Sequence, residues 1–233
     1  MGMIPYTTAL IVGAGSGISA SLARALRRDG LAVALAARNP GKLADLAAET
    51  GALPFGADAA DPAGVDALFA AVEARLGAPD LVIYNASARV RGPLAELDPL
   101  AVRDVLASSA YGAFLVAQQA ARRMVPQRHG AILFTGASAG IKGFPHSAPF
   151  AMGKFALRGL AQSAARELGP QGIHVAHIVV DGGVRSAARP DPADRPDSTL
   201  DPDAVAATCL ATLAQHRSAW SLEVEVRPWV ETF

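Results

Sequence analysis

Short apolar runs recur along this chain, separated by longer stretches in which apolar residues return at helical spacing. The first run, Ala9-Leu10-Ile11-Val12, ends in Gly13-Ala14-Gly15-Ser16-Gly17, and a helical pattern follows from Ile18 to Arg28. A run this short, closed by glycines, predicts a buried parallel strand rather than part of a helix. Leu31 to Ala37 and Leu53 to Ala57 predict two more strands, with a helix beginning near Lys42 between them. Pro62 to Leu76 is amphipathic, and Asp80 to Tyr84 is a fourth strand. Asp98-Pro99 opens a helical pattern that runs to about Val125, near 40 Å at about 1.5 Å per residue. That is longer than one sheet face needs. Gly130 to Thr135, Phe150 to Leu168 and Val175 to Val180 read as strand, long helix and strand. Asp203 to His216 is helical. Ser221 to Arg227 alternates Leu222, Val224 and Val226 with Glu223, Glu225 and Arg227, the period of a last strand with one polar face.

This alternation predicts an α/β fold, a single doubly wound (Rossmann-type) parallel sheet of about seven strands with helices on both faces. No repeat and no linker divides the chain, so residues 1–233 are expected to form one domain. Hydrophobic residues make up 51% of the sequence, enough for a large core. Twenty-one basic residues balance 21 acidic ones, and the absence of net charge argues against a nucleic-acid or anionic-membrane partner. No apolar run reads as a membrane span, and the N-terminus lacks a basic region followed by a long apolar stretch. A cytoplasmic protein is the expectation. Cys209 is the only cysteine, which excludes an intrachain disulfide and a cysteine-based metal cluster. His129, His174, His177 and His216 share no ligand spacing with carboxylates, so no metal site is expected.

The glycine turn carries the first candidate chemistry. Gly13, Gly15 and Gly17 allow a sharp turn and let backbone approach a ligand. The helix from Ile18 presents its N-terminal N–H groups and positive dipole end, a site for phosphate. A tight strand–helix turn without a ligand is the alternative. At the end of the second strand, where a nucleotide-binding half places the adenosine ribose, the chain reads Ala36-Ala37-Arg38. A carboxylate there would bond a free 2′-hydroxyl and repel a 2′-phosphate. Arg38 instead offers a phosphate a bidentate fork, which favours NADP(H) and leaves NAD(H) open, unless Arg38 is simply a solvated loop arginine.

The spacing is not G-x-G-x-x-G, because Ile18 holds the third glycine's place. It resembles the T-G-x-x-x-G-x-G loop of the short-chain dehydrogenase/reductase family, with Val12 for Thr and Ser19 for the last Gly. Tyr84-Asn85-Ala86-Ser87 is similar to that family's N-N-A-G turn, and Asp181 to Ser186 to its P-G-x-V-x-T. Phe150 to Lys154 stands at Y-x-x-x-K, and Ser109-Ala110-Tyr111-Gly112 at N-x-x-G. The resemblance covers nearly the whole chain. It implies a cofactor loop at Gly13, Gly15, Ser16, Gly17 and Ile18, an adenine contact at Asp58, and backbone tied down beside the cofactor by Asn85. Asn85 could equally make an ordinary Asx turn. The resemblance also implies a carboxamide held by Val184 backbone and the Ser186 hydroxyl, and a nicotinamide ribose held by Lys154. The segment around 187–202, dense in Pro, Asp and Arg, would be the mobile loop covering a small-molecule substrate. A homodimer or homotetramer is implied as well.

The acid–base residues depart from the family. Its members use Tyr as proton donor or acceptor, Lys to lower the Tyr pKa, Ser to polarise the substrate oxygen, and Asn in a water relay. Phe150 keeps the Tyr's place four residues before Lys154, on one side of a helix, but a phenyl ring has no proton to give. Ser138 lies one position off the usual interval, which falls on Ala137, and Ser109 replaces the Asn. His146 could supply the proton, since an imidazole titrates near neutrality, or it could be a solvent-exposed loop residue. Tyr84 and Tyr111 read more simply as packed aromatics. Two functions fit: an NADP(H)-dependent oxidoreductase acting on an activated C=N or C=C substrate, or a non-catalytic NADP(H)-binding sensor or structural protein.

Overall fold

The computed structural model describes residues 4–231; the ends of the expected domain, 1–3 and 232–233, lie outside them. The strands are β1 (Thr8–Val12), β2 (Ala32–Ala37), β3 (Leu53–Gly56), β4 (Leu81–Tyr84), β5 (Gly130–Thr135), β6 (Ile173–Val180) and β7 (Glu223–Val226). The helices are α1 (Ile18–Arg28), α2 (Ala44–Thr50), α3 (Pro62–Leu76), α4 (Pro99–Leu106), α5 (Gly112–Met124), α6 (Ala148–Leu168) and α7 (Pro202–Leu213). All strand pairs are parallel, in the order β3-β2-β1-β4-β5-β6-β7. This is the doubly wound sheet expected from the sequence. Chain order reverses between β1 and β4, and in such sheets a crevice opens there at the carboxyl ends of the strands.

Successive strand residues point to opposite faces, so each central strand feeds two cores. Ala9, Ile11, Leu81, Ile83, Ala131 and Leu133 pack under α1 and α7, with Cys209 among them. Leu10, Val12, Val82, Tyr84, Ile132 and Phe134 pack against α3, α5 and α6 on the other face. Burial on both faces is why these strands read as unbroken apolar runs. Three helices begin with the same device. Asp61, Asp98 and Asp201 each accept first-turn N–H groups, and each is followed by a proline. The proline's fixed φ suits the first helical position, where no N–H is needed.

The long helix expected from Asp98 to Val125 is not uniform. It divides into α4 and α5 around a widened π turn at Ala107–Tyr111, where the Gly112 N–H bonds the Ala107 carbonyl. Several ends also shift: β6 begins at Ile173, α7 stops at Leu213, and Ser221, Leu222 and Arg227 fall outside β7. Contrary to the sequence expectation, one stretch, Pro99–Gln127, is long and apolar enough to cross a membrane by composition. In this fold it is a layer helix, with Leu115, Val116 and Ala120 in the second core.

Candidate active site

A cleft of about 750 Å³ opens at the β1/β4 crevice. Its floor is the turn after β1. Gly13 has φ +81°, and a Cβ there would overlap the backbone of Ala86, so the β1 and β4 turns pack without room for a side chain. The N–H groups of Gly13 and Ala14 both bond the Ala36 carbonyl at 3.0 and 2.9 Å, fixing the turn to the end of β2. Gly15 and Gly17 are different: a Cβ on either would meet nothing within 4 Å. Gly15 and Ser16 line the cleft, and Gly17 is the uncapped N-terminus of α1, followed by Ile18. Bare backbone, open space and free first-turn N–H groups are what a pyrophosphate requires, so the residues fit a dinucleotide.

The departure at Ser19 has a structural reason. The Asn85 amide donates to the Ser19 hydroxyl at 2.8 Å, and that hydroxyl donates to the Gly13 carbonyl at 3.3 Å. Asn85 therefore acts on the glycine turn through Ser19, and its own N–H bonds the Val12 carbonyl at 2.8 Å. Tyr84 also does more than pack. Its hydroxyl donates to the Ser108 carbonyl inside the π turn. Burial, with the nearby Asp58 charge, pushes the Tyr84 phenol well above its ordinary range, so it remains a donor.

At the ribose end, Arg38, Asn39, Lys42 and Asp58 line the same cleft. Asp58 accepts the Ala60 N–H at 3.0 Å, which shapes the turn after β3. Arg38 and Lys42 are exposed, and among the described residues neither pairs with a carboxylate. Lys42 had looked only like the start of a helix. The Asn39 cap that places it is a local signal available in the sequence, since Asn39 accepts the Gly41 N–H at 3.1 Å.

The catalytic half centres on α6. Lys154 is buried, and its ammonium donates to the Thr135 carbonyl at 2.7 Å. Burial, helped by the positive charge of Arg89, pushes its pKa down to about 8. Phe150 occupies the same helix face, with the Lys154 ammonium 5.8 Å from its ring centroid. Ser138 is half-buried and opens a short turn whose carbonyl accepts the Ile141 and Lys142 N–H groups, both at 2.9 Å. Ala137, just before it, is extended. Ser109 is fully buried rather than open to the cleft: its hydroxyl takes the Ala88 N–H at 3.4 Å, and a Cβ on Gly153 would stand 2.8 Å from its own Cβ. His146 is exposed, with φ +58°, and its carbonyl accepts the Gly92 N–H at 3.2 Å. The structure thus brings Lys154 and Phe150 together, and leaves His146 on an outer loop.

After β6 the chain doubles back. Val184 bridges Leu200, and Ser186 exchanges backbone hydrogen bonds with Arg189. The following loop is tied rather than loose. Arg185 pairs with Asp191 at 2.9 Å and with Asp201, while Asp191 accepts the Thr199 and Asp197 N–H groups. Sequence reading missed Arg89 entirely. Its guanidinium lies 4.0 Å from the Phe150 ring centroid.

Comparison with known proteins agrees with this geometry. Residues 7–193 match the family model described as short chain dehydrogenase. The chain is 31% identical over 173 residues to the 3-oxoacyl-[acyl-carrier-protein] reductase MabA of Mycobacterium tuberculosis, covering 74% of this chain and 67% of the relative. A crystal structure of a short-chain dehydrogenase from Rhodopseudomonas palustris superposes with a TM-score of 0.84 at 34% identity, over 96% of this chain and 99% of that one. A metagenomic short-chain oxidoreductase in complex with NADP gives a TM-score of 0.84 at 26% identity, over 96% and 98% of the two chains.

Proposed function

The chain belongs to the short-chain dehydrogenase/reductase family, and from that membership we propose that it is an NADP(H)-dependent oxidoreductase of small molecules. The observation that carries the proposal is the cleft itself, which combines a bare glycine turn and uncapped helix with unpaired Arg38 and Lys42 at its ribose end. The NADP bound by the metagenomic oxidoreductase supports the same cofactor. The reading takes residues 1–233 as one NAD(P)-binding domain with a substrate-side loop around 187–202.

In this reading Gly13, Gly15, Ser16, Gly17 and Ile18 face the pyrophosphate, Asp58 the adenine, and Asn85 holds the turn. Val184 and Ser186 face the nicotinamide carboxamide. Bound NADPH would supply a hydride. Lys154 would hold the nicotinamide ribose through its ammonium, and Phe150 excludes water beside it without giving a proton. An activated C=N or C=C substrate suits a site of this kind, because less charge develops where the acid is missing. Ser138, His146 or water would serve where a proton is required, and Ser109 would act only by packing.

Fluorescence titration of NADPH and NADH tests the cofactor. A charge-assisted phosphate contact contributes about 1.5–3 kcal/mol, so NADPH should bind about tenfold to a hundredfold more tightly, and Arg38→Ala should erase most of the difference. Equal affinities in the unmodified protein would refute the assignment. A non-catalytic NADP(H)-binding protein would show the same binding without oxidising NADPH in the presence of iminium or enone substrates.

Self-association belongs to the same proposal. Leu100, Tyr111, Phe114, Met152 and Phe155 are exposed on α4, α6 and the helix between them. An exposed apolar cluster of this size marks an interface. Light scattering should give a dimer or tetramer, and a monomer at micromolar concentration would refute it.

A further inference from the structure

The region around Phe150 gathers positive charge without a counter-charge. Arg89 stacks on the Phe150 ring at 4.0 Å, and Lys154 lies 5.8 Å from the same centroid. The segment after β6 adds Arg189. Reciprocal hydrogen bonds of 3.0 Å with Ser186 fold it back, and its guanidinium covers Gly183, where a Cβ would stand 2.9 Å from Nη1. Burial, and after it the charges of Arg91 and Arg189, disfavours the charged form of Arg89; burial, and after it the charge of Arg89, does the same to Lys154.

Among the described residues, Arg89, Arg91 and Arg189 pair with no carboxylate. In the neighbouring loop Asp191, Asp197 and Asp201 all face Arg185 instead. Stacking on the buried Phe150 ring accounts for one arginine. It does not account for like charges being held together. A guanidinium held beside Phe150 and Lys154 without a carboxylate finds its counter-ion in a ligand, and its fork geometry matches an oxyanion group.

We propose that Arg89, laid on the Phe150 ring that the Lys154 ammonium also faces, forms a subsite for an oxyanion on the substrate, so that the compound reduced here carries a carboxylate or a phosphate ester. The word substrate rests on the oxidoreductase reading; the binding of the anion does not.

Matched pairs of ligands test it by calorimetry on the NADPH-loaded protein. Pyruvate is compared with methyl pyruvate, and dihydroxyacetone phosphate with dihydroxyacetone, so the two pairs separate a carboxylate from a phosphate. The anionic member of at least one pair should bind about tenfold or more tightly than its neutral partner. Arg89→Ala should remove most of that preference, and Arg166→Ala, an exposed change far along α6, should not. No binding by either anion, equal binding within both pairs, or a preference untouched by Arg89→Ala would each overturn the proposal. Anion binding without NADPH oxidation would sustain the subsite and sink the oxidoreductase reading. Oxidation with neutral ketones alone would do the reverse.

Discussion

The two halves of the cleft differ in what holds them together. On the cofactor side the turn after β1 is built from backbone: Gly13 and Ala14 bond Ala36, and the uncapped start of α1 faces open space. Of the side chains there that depart from the family pattern, three show how the geometry stays standing. Val12 is an ordinary core residue, Ser19 gains a hydrogen bond from Asn85, and Tyr84 gains one to Ser108. On the catalytic side the expected chemistry hangs on single side-chain atoms. The Phe150 ring has no proton to give, and Ser109 is sealed against Gly153. A site made of main chain absorbs side-chain change, whereas a site made of hydroxyls does not.

The largest test of this contrast is Lys154→Met. Loss of a charged donor at a reacting site costs about 10²- to 10³-fold in turnover, and NADPH oxidation should fall by that much. A fall of less than about threefold would show that the catalytic side does not depend on the ammonium. pH gives the same test in the unmodified protein. The Lys154 pKa is about 8 in the fold against an ordinary 10.5. Between those values the unfolded chain holds the extra proton, so stability should rise with pH across that window and be lost as pH falls through about 8. The ammonium is lost from the fold over the same rise, so turnover should fall while denaturant resistance increases.

Next is Gly13→Ala. Overlap with Ala86 together with φ +81° should destabilise the fold by about 3 kcal/mol. In a chain of this size that lowers Tm by roughly 6–12 °C. Gly15→Ala, with open space around it, should leave Tm within about 2 °C and weaken only cofactor binding. Equal thermal shifts in the two variants would break the distinction between packed and open glycines.

The smallest expected effect is a gain. Phe150→Tyr places a phenol beside Lys154 and should raise simple ketone reduction about tenfold, less than the roughly 10²- to 10⁴-fold of a fully supported acid because neither Ala137 nor the buried Ser109 supports it. An unchanged rate would mean that the missing proton is not what limits the catalytic side.

Much of this was legible in the sequence, for physical reasons. Double burial makes strand runs unmistakable, and α3 begins and ends where the amphipathic pattern does, between Asp61-Pro62 and Gly77. The π turn was not legible, because one extra residue per turn barely disturbs a strongly apolar helical pattern. Partners far apart in sequence were equally hidden. Nothing near Ser19 announces Asn85, 66 positions on. Nothing near Phe150 announces Arg89, which reads as a solvated loop charge until the fold lays it on the ring. The 187–202 segment looked mobile by composition, but Arg185 just before it meets its aspartates only when the chain turns back.

The clasp between Tyr84 and the π turn bears on how this sequence can change over time. A Cβ on Gly112 would stand 2.7 Å from the Tyr84 hydroxyl and 2.7 Å from the Ala59 carbonyl, so the phenol fits only while position 112 stays bare. The phenol in turn occupies space that a shorter residue would vacate, leaving the Ser108 carbonyl at the cleft wall without that donor. Each residue has thereby made the other harder to replace. An asparagine at position 84, or a side chain at position 112, reached one substitution at a time, would have to cross a less stable protein, so the pair restricts the order in which it can change.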